Sequence, residues 1–426
     1  MGSSRITQLA SIVAATSLVT ALLAAGGGAA GAGEEKRGNV NGTLELGQLA
    51  AQTGMLSNIV QSLTVPVTMA VDEINASGGV LGNPVAYTVA DDATDPAVGS
   101  ESLEGLLEDT KVDAVMGPTA SGITLNILEE VRQRGVLVCS GSNMSAELST
   151  ADSGGYYFRT TPSDRLQGPA LAELVRTDGH KKVGIIARRD TYGVGLATSM
   201  KKALEKGGAK VVANVDYDPD ATSFDRDVQR VIDKKPDAVI VLGFENDGAD
   251  IVRTLTAQGL SPQQFPIYTA DGMRTNAFPS LVDPNNPGIV AGIKGTSPAT
   301  APTDVQHPFL DAFDATGIEP IYSAFYYDCT ILTALAAEKA KSDDPAKMKE
   351  AFAANTKGRN KCTTYAECKQ LLDDGKAIQY QGASATFKKM NKFGTFEPNA
   401  GVYEVWAFDE AGRDNTSPPE TQIRVG

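Results

Sequence analysis

The chain has 426 residues, 42% of them hydrophobic and 21% charged, with a formal net charge of −14 at neutral pH. This length accommodates two domains, each with its own core, and the even composition excludes a disordered or fibrous chain. An acidic balance without a basic patch argues against nucleic acid as a partner.

The first residues read as an export signal. Arg5 is the positive flank, residues 6–25 are mostly apolar, and a small-residue tract comes next. Cleavage after Ala25 or Ala32 would leave a tether, so residues 1–42 are expected to be leader and tether. A membrane anchor is the competing reading, but Ser and Thr interrupt the stretch. No other segment has the apolar length to span a bilayer.

From Thr43 onward, β-rich runs alternate with amphipathic helices: TLELGQLA, a helix over 65–76, VAYTVADD, a helix over 97–109, VDAVMGP, a helix over 122–134, then VLVCSG. A second series comes after YYFRTTPSD: KVGIIARRD, a helix over 195–206, KVVANVDY, a helix over 224–234, AVIVLGF, a helix over 247–258, then FPIYTAD. Near-continuous apolar strands separated by helices predict parallel sheets covered on both faces, hence an α/β protein of two doubly wound lobes. The boundary falls near Thr161-Pro162. GIKGT, long helices from Val305 and over 321–341, and two final β-rich runs, ASATFKK and VYEVWAF, complete the chain. The late helices are expected on the first lobe and the last strands on the second, giving lobes of 43–161 plus 297–380 and 162–296 plus 381–426 joined by a multi-strand hinge.

Among the four cysteines, Cys362 and Cys368 flank a short polar loop and are expected to bond in an oxidising compartment, worth roughly 2 kcal/mol. Cys139 and Cys329 lie in an apolar strand and helix and are expected to be inert core residues. None has the spacing of a zinc site, so neither metal nor cofactor is expected.

Ligands of open parallel sheets bind beyond the carboxyl ends of strands. VDAVMGP leads into Thr119, Ser121 and Gly122, whose hydroxyls and helix-start N–H groups suit a carboxylate, although Ser121 also reads as a plain N-cap. VLVCSG leads into Ser142, Asn143 and Met144. The second series offers Tyr192 beside a glycine turn, then Phe244, Glu245 and Asp271. Donors on one side and carboxylates with aromatic faces on the other suit a zwitterion, its ammonium on Asp271 or Glu245. Asp271 also reads as a turn former before Gly272.

With AVDEINASGGVLGNPVAYTVADDATDP, YYFRTTPSDRLQGPALAELV and ARRDTYGVGLATSMKKALEKGGAKVV in this order, the chain resembles the branched-chain amino-acid-binding (Leu/Ile/Val type) periplasmic proteins of ATP-driven importers over about residues 43–409. The resemblance implies a type I binding-protein fold with three interlobe crossovers. It implies a monomer that closes on a small molecule and delivers it to importer permease subunits. It assigns Ser121 to the ligand carboxylate, Ser142 through Met144 to further polar contacts, Tyr192 and Phe244 to aromatic walls, and Asp271 to the ammonium. Met144 replaces a common threonine and Ile59 stands near a common aromatic, which opens the ligand class to other amino acids, urea, amides or aromatic acids. The leader lacks the cysteine used for lipid attachment.

Enzymatic readings find little support. Gly193-Val194-Gly195-Leu196-Ala197-Thr198 lacks the third glycine of a dinucleotide fingerprint, no GxSxG elbow occurs, and the two histidines, His180 and His307, sit in polar stretches that predict surface positions. The ligand-sensing subunit of a signalling system is the remaining alternative.

Overall fold

The computed structural model describes residues 40–299, 307–385, 387, 396–418 and 421–426. The expected leader and tether lie outside the described residues up to Asn39.

The elements run in the order β1 (Glu45–Ala50), α1 (Val60–Ala76), β2 (Ala86–Asp91), α2 (Pro96–Gly105), β3 (Ala114–Met116), α3 (Ser121–Arg134), β4 (Leu137–Ser140) and β5 (Tyr157–Arg159). Next come α4 (Asp164–Thr177), β6 (Lys182–Arg188), α5 (Thr191–Lys206), β7 (Lys210–Tyr217), α6 (Asp225–Ile232), β8 (Ala238–Leu242), α7 (Glu245–Ala257), β9 (Ile267–Ala270), α8 (Phe278–Val282) and β10 (Lys294–Pro298). The chain ends with α9 (Pro308–Asp314), α10 (Ser323–Ala340), α11 (Pro345–Phe352), β11 (Asn360–Cys362), α12 (Tyr365–Asp373), β12 (Ile378–Tyr380), β13 (Gly401–Phe408), β14 (Asp414–Thr416) and β15 (Ile423–Val425).

Strands β2-β1-β3-β4-β5 form one parallel sheet. The second sheet runs β14-β13-β10-β9-β8-β6-β7, parallel from β7 to β10, with β13 antiparallel to β10 and β15 paired to β13. Central strands are buried along their length, as in AVIVL of β8, which is why their sequences read as unbroken apolar runs. Strands β11 and β12 form a separate two-stranded sheet, and α10 packs on β3 and β4 of the first. The chain thus crosses three times: from the first sheet to the second between β5 and β6, back to the first side between β10 and α10, and to the second sheet again between β12 and β13. Because β10 continues to Pro298, the second passage starts after that residue.

Several helices begin earlier than the sequence spacing predicts, and in α5 and α7 an aspartate at the helix start accepts a backbone N–H. The Asp190 carboxylate accepts the Gly193 N–H (2.8 Å) and starts α5 at Thr191, and Asp247 accepts the Phe244 N–H (3.0 Å) and starts α7 at Glu245. Tyr192 therefore lies in the first turn of a helix, not beside a loop glycine.

The expected strand ASATFKK falls partly outside the described residues (Thr386, Lys388 and Lys389), and its described part is not a strand. There the Asp328 carboxylate of α10 accepts the N–H groups of Ala383 and Ser384, both at 2.8 Å, in place of a ladder partner. Val305, the expected start of a helix, also lies outside the described residues, and α9 begins at Pro308.

Three side chains correct or sharpen the sequence reading. Cys139 and Cys329, expected as inert core residues, form a disulfide that joins β4 to α10 across 190 residues. Cys362 and Cys368 pair as expected. His307 is buried (1% exposed) rather than at the surface, because its ring caps α9, accepting the Phe309 N–H at Nδ1 (3.2 Å), and stacks edge-on against Tyr327. Among the described residues no helix is long and apolar enough to cross a membrane.

Candidate functional site

The loops at the carboxyl ends of the two parallel sheets converge on a cavity of about 50 Å³, room for a few water-sized groups. From the first sheet come Leu56, Asn58 and Ile59 after β1, Thr119, Ala120 and Ser121 after β3, and Ser142 and Met144 after β4. The second sheet supplies Tyr192, Phe244, Glu245, Asp271, Gly272 and Thr275, and the segment entering α10 supplies Ile321 and Tyr322.

Eight of the ten predicted site residues thus line one cavity. Asn143 does not: it is fully buried, its amide bonding the carbonyls of Pro118 (3.0 Å) and Thr119 (3.1 Å), so it braces the loop after β3 from behind. Gly122 is not in the lining either. It faces Thr191 of α5, whose hydroxyl would lie 3.9 Å from an added Cβ.

On the first-sheet side, Ala120, not Ser121, is the N-cap of α3. Ser121 is the first helical residue, and its hydroxyl accepts the Ser145 N–H at 3.2 Å, tying the loops after β3 and β4 together. Helix geometry leaves the Ser121 and Gly122 N–H groups without carbonyl partners among the described residues, next to the positive end of the helix dipole, whereas the Ile123 N–H bonds the Ala120 carbonyl at 3.2 Å. The Ser142 hydroxyl donates to the Thr119 carbonyl at 2.7 Å. Arg159, fully buried in β5, donates to the carbonyls of Asn143 (3.1 Å) and Ser145 (2.8 Å) and pairs with Glu397, fixing the loop of residues 142–145.

On the second-sheet side, the rings of Tyr192 and Phe244 stack 5.4 Å apart with planes 9° from parallel. Arg188 lies 4.6 Å from the Phe244 ring centre and is held by Asp247 (2.8 Å) and Asp190 (2.6 Å). Gly272 is required here, since a Cβ would lie 2.6 Å from the Gly243 carbonyl and 2.9 Å from the Tyr192 hydroxyl. The Thr275 hydroxyl donates to the Glu245 carboxylate at 2.6 Å.

Asp271 is the most constrained acid. Its carboxylate accepts short hydrogen bonds from the Tyr322 hydroxyl and the Gln167 amide. Burial pushes it above the ordinary carboxylate range, partly offset by those donors. Asp164 lies nearby, fully buried with neither carboxylate oxygen hydrogen-bonded among the described residues, and burial, then the charge of Asp271, pushes it well up.

Tyr322, Ile321 and Thr275 escaped the sequence reading. The rule that ligands lie beyond strand ends points to the loop after each strand, whereas Tyr322 precedes a helix on a crossover. Its φ of +59°, rare for a bulky residue, is a signal only the backbone reveals.

A profile described as "periplasmic binding protein" matches residues 43–379. A Leu/Ile/Val-binding protein of Rhizobium johnstonii is 29% identical over 50% of this chain and 58% of its own length, so that match spans little more than half of the relative. A leucine-, isoleucine-, valine-, threonine- and alanine-binding protein of Pseudomonas aeruginosa is 25% identical over 74% of this chain and 83% of its own. Among solved structures, the branched-chain amino acid transporter substrate-binding protein of Streptococcus pneumoniae in complex with isoleucine superposes with a TM-score of 0.70 at 23% identity, covering 88% of this chain and 99% of that one. These relatives are named for binding and transport rather than for catalysis. With a family profile over most of its length and the two-sheet architecture of a type I binding protein, the chain belongs to the periplasmic binding protein family.

Proposed function

We propose that this protein captures an α-amino acid in the cavity between its two sheets and delivers it to an ATP-driven importer. The observation that carries this reading is the polarity of the cavity, with helix-start N–H groups and hydroxyls at Thr119, Ser121 and Ser142 on one wall and the Asp271 and Glu245 carboxylates on the other. A carboxylate suits the first wall and an ammonium the second. The stacked Tyr192 and Phe244 rings and Met144 enclose what lies between. The names of the relatives agree with an amino-acid cargo.

The lobes we assign are 43–161 plus 299–397 and 162–298 plus 398–426, because the Ala383 and Ser384 N–H groups bond Asp328 of α10, Phe396 pairs with Phe158 of β5 and Glu397 pairs with Arg159, and they move by the three connecting segments. A ligand touching both walls favours the closed arrangement, the form an importer would recognise. The leader would direct export to the periplasm or cell surface, and the mature protein would act as a monomer.

A thermal-shift panel of the common L-amino acids, with urea, short amides and benzoates as controls, tests the reading. A ligand at a hundred times its Kd adds about 2.7 kcal/mol, enough to raise Tm by several degrees. A shift with one amino-acid class is expected; a shift confined to the controls would remove the amino-acid assignment.

A further inference from the structure

A second cavity, about 390 Å³, adjoins the first and shares Asp271, Ile321 and Tyr322 with it. Ile321, Tyr322 and Asp271 thus line both cavities, and the Tyr322 hydroxyl is bonded to Asp271. The second chamber is lined by four carboxylates, Asp271, Glu319, Glu404 and Asp414, and by one cation, Arg274.

That cation is already committed. Arg274 donates to Asp414 at 2.7 Å, to Glu404 at 2.9 Å and to the Thr416 hydroxyl at 2.6 Å. Among the described residues Glu319 has no cationic partner within ion-pair distance and accepts only the Asn276 N–H, at 3.2 Å. Ser297, 5% exposed, lines the same chamber with its hydroxyl buried and unbonded among the described residues, as is one oxygen of Asp414. The chamber therefore holds more carboxylates than cations, with Glu319 lacking a cationic partner among the described residues.

We infer that this chamber is a subsite for a cationic distal group, so that the preferred cargo is an amino acid whose side chain ends in an ammonium or guanidinium. The inference rests on the amino-acid reading above and names its substrate class. The α-ammonium sits at Asp271, the methylene chain runs along Ile321 and Tyr322, and the terminal cation meets Glu319. An anionic or purely aliphatic terminus would leave those carboxylates uncompensated.

Calorimetric titration of the wild-type protein with L-lysine and L-norleucine, which share a methylene chain and differ in the terminal ammonium, tests it without any variant. Lysine is expected to bind at least tenfold more tightly, the order of a charge-assisted hydrogen bond. Glu319→Gln, at a partly exposed position outside the lining of the first cavity, is expected to remove most of that preference while leaving L-alanine affinity unchanged. Norleucine binding as tightly as lysine, with alanine or another small amino acid also bound, would overturn this inference alone. If no amino acid binds at all, the proposed function falls with it.

Discussion

Asp271 concentrates the chemistry of the site in one carboxyl. Buried against Tyr322, Gln167 and Asp164, it is ionised only at a cost, and a ligand ammonium would offset that cost. Asp271→Asn keeps the shape and removes the charge, so it is expected to weaken amino-acid binding more than tenfold, as calorimetry would measure. The raised pKa also fixes the sign of a pH dependence. The ionised form binds the ammonium, so affinity is highest above the raised value and falls, at most tenfold per pH unit, as acid protonates the carboxyl. Titrations between pH 4 and 8 should trace this course in the wild type and be flat in Asp271→Asn. A flat wild-type profile would remove Asp271 from ligand binding. Part of this residue-level picture was legible in sequence, because Thr119, Ser121, Phe244 and Asp271 each come directly after a strand of a parallel sheet. Tyr322 was not, because a crossover segment carries no such rule and its left-handed backbone leaves no trace in residue type.

Helix α10 ties the late part of the chain to the first sheet. Residues Ser323 through Glu338 are all buried, so the helix shows no amphipathic stripe to reveal which neighbour it meets. It packs against α1 and the β3–β4 end of the first sheet and positions Tyr326, which lies 3.0 Å from the Ser142 hydroxyl. The Cys139–Cys329 bond ties this late helix to β4 across 190 residues, while Cys362–Cys368 spans 6. In the chain-entropy model the long closure is worth about 5 kcal/mol and the short one about 2 kcal/mol. Replacing Cys139 and Cys329 together by Ala is thus expected to lower Tm by clearly more than replacing Cys362 and Cys368; equal losses would contradict it. Sequence spacing exposed only the short pair, since two cysteines far apart in an apolar strand and helix give no sign of meeting until the fold joins them.

For the whole molecule, three connecting segments and two walls of opposite chemistry imply that ligand binding and closure are one equilibrium. Saturation with a bound amino acid is expected to reduce the radius of gyration measured by small-angle scattering, and an unchanged value would remove closure from the account. The two-sheet architecture was readable because each parallel sheet demands alternating apolar strands and helices. The late part of the chain was less so: ASATFKK has the alternation of a strand, yet Asp328 takes the N–H groups a ladder would use. Recognition of the α-ammonium by Asp271 is tested by calorimetric titration with each L-amino acid that stabilises the protein, beside the same molecule lacking its α-amino group. The des-amino compound is expected to lose at least a hundredfold in affinity, because it leaves Asp271 uncompensated; equal binding of the two would rule this recognition out.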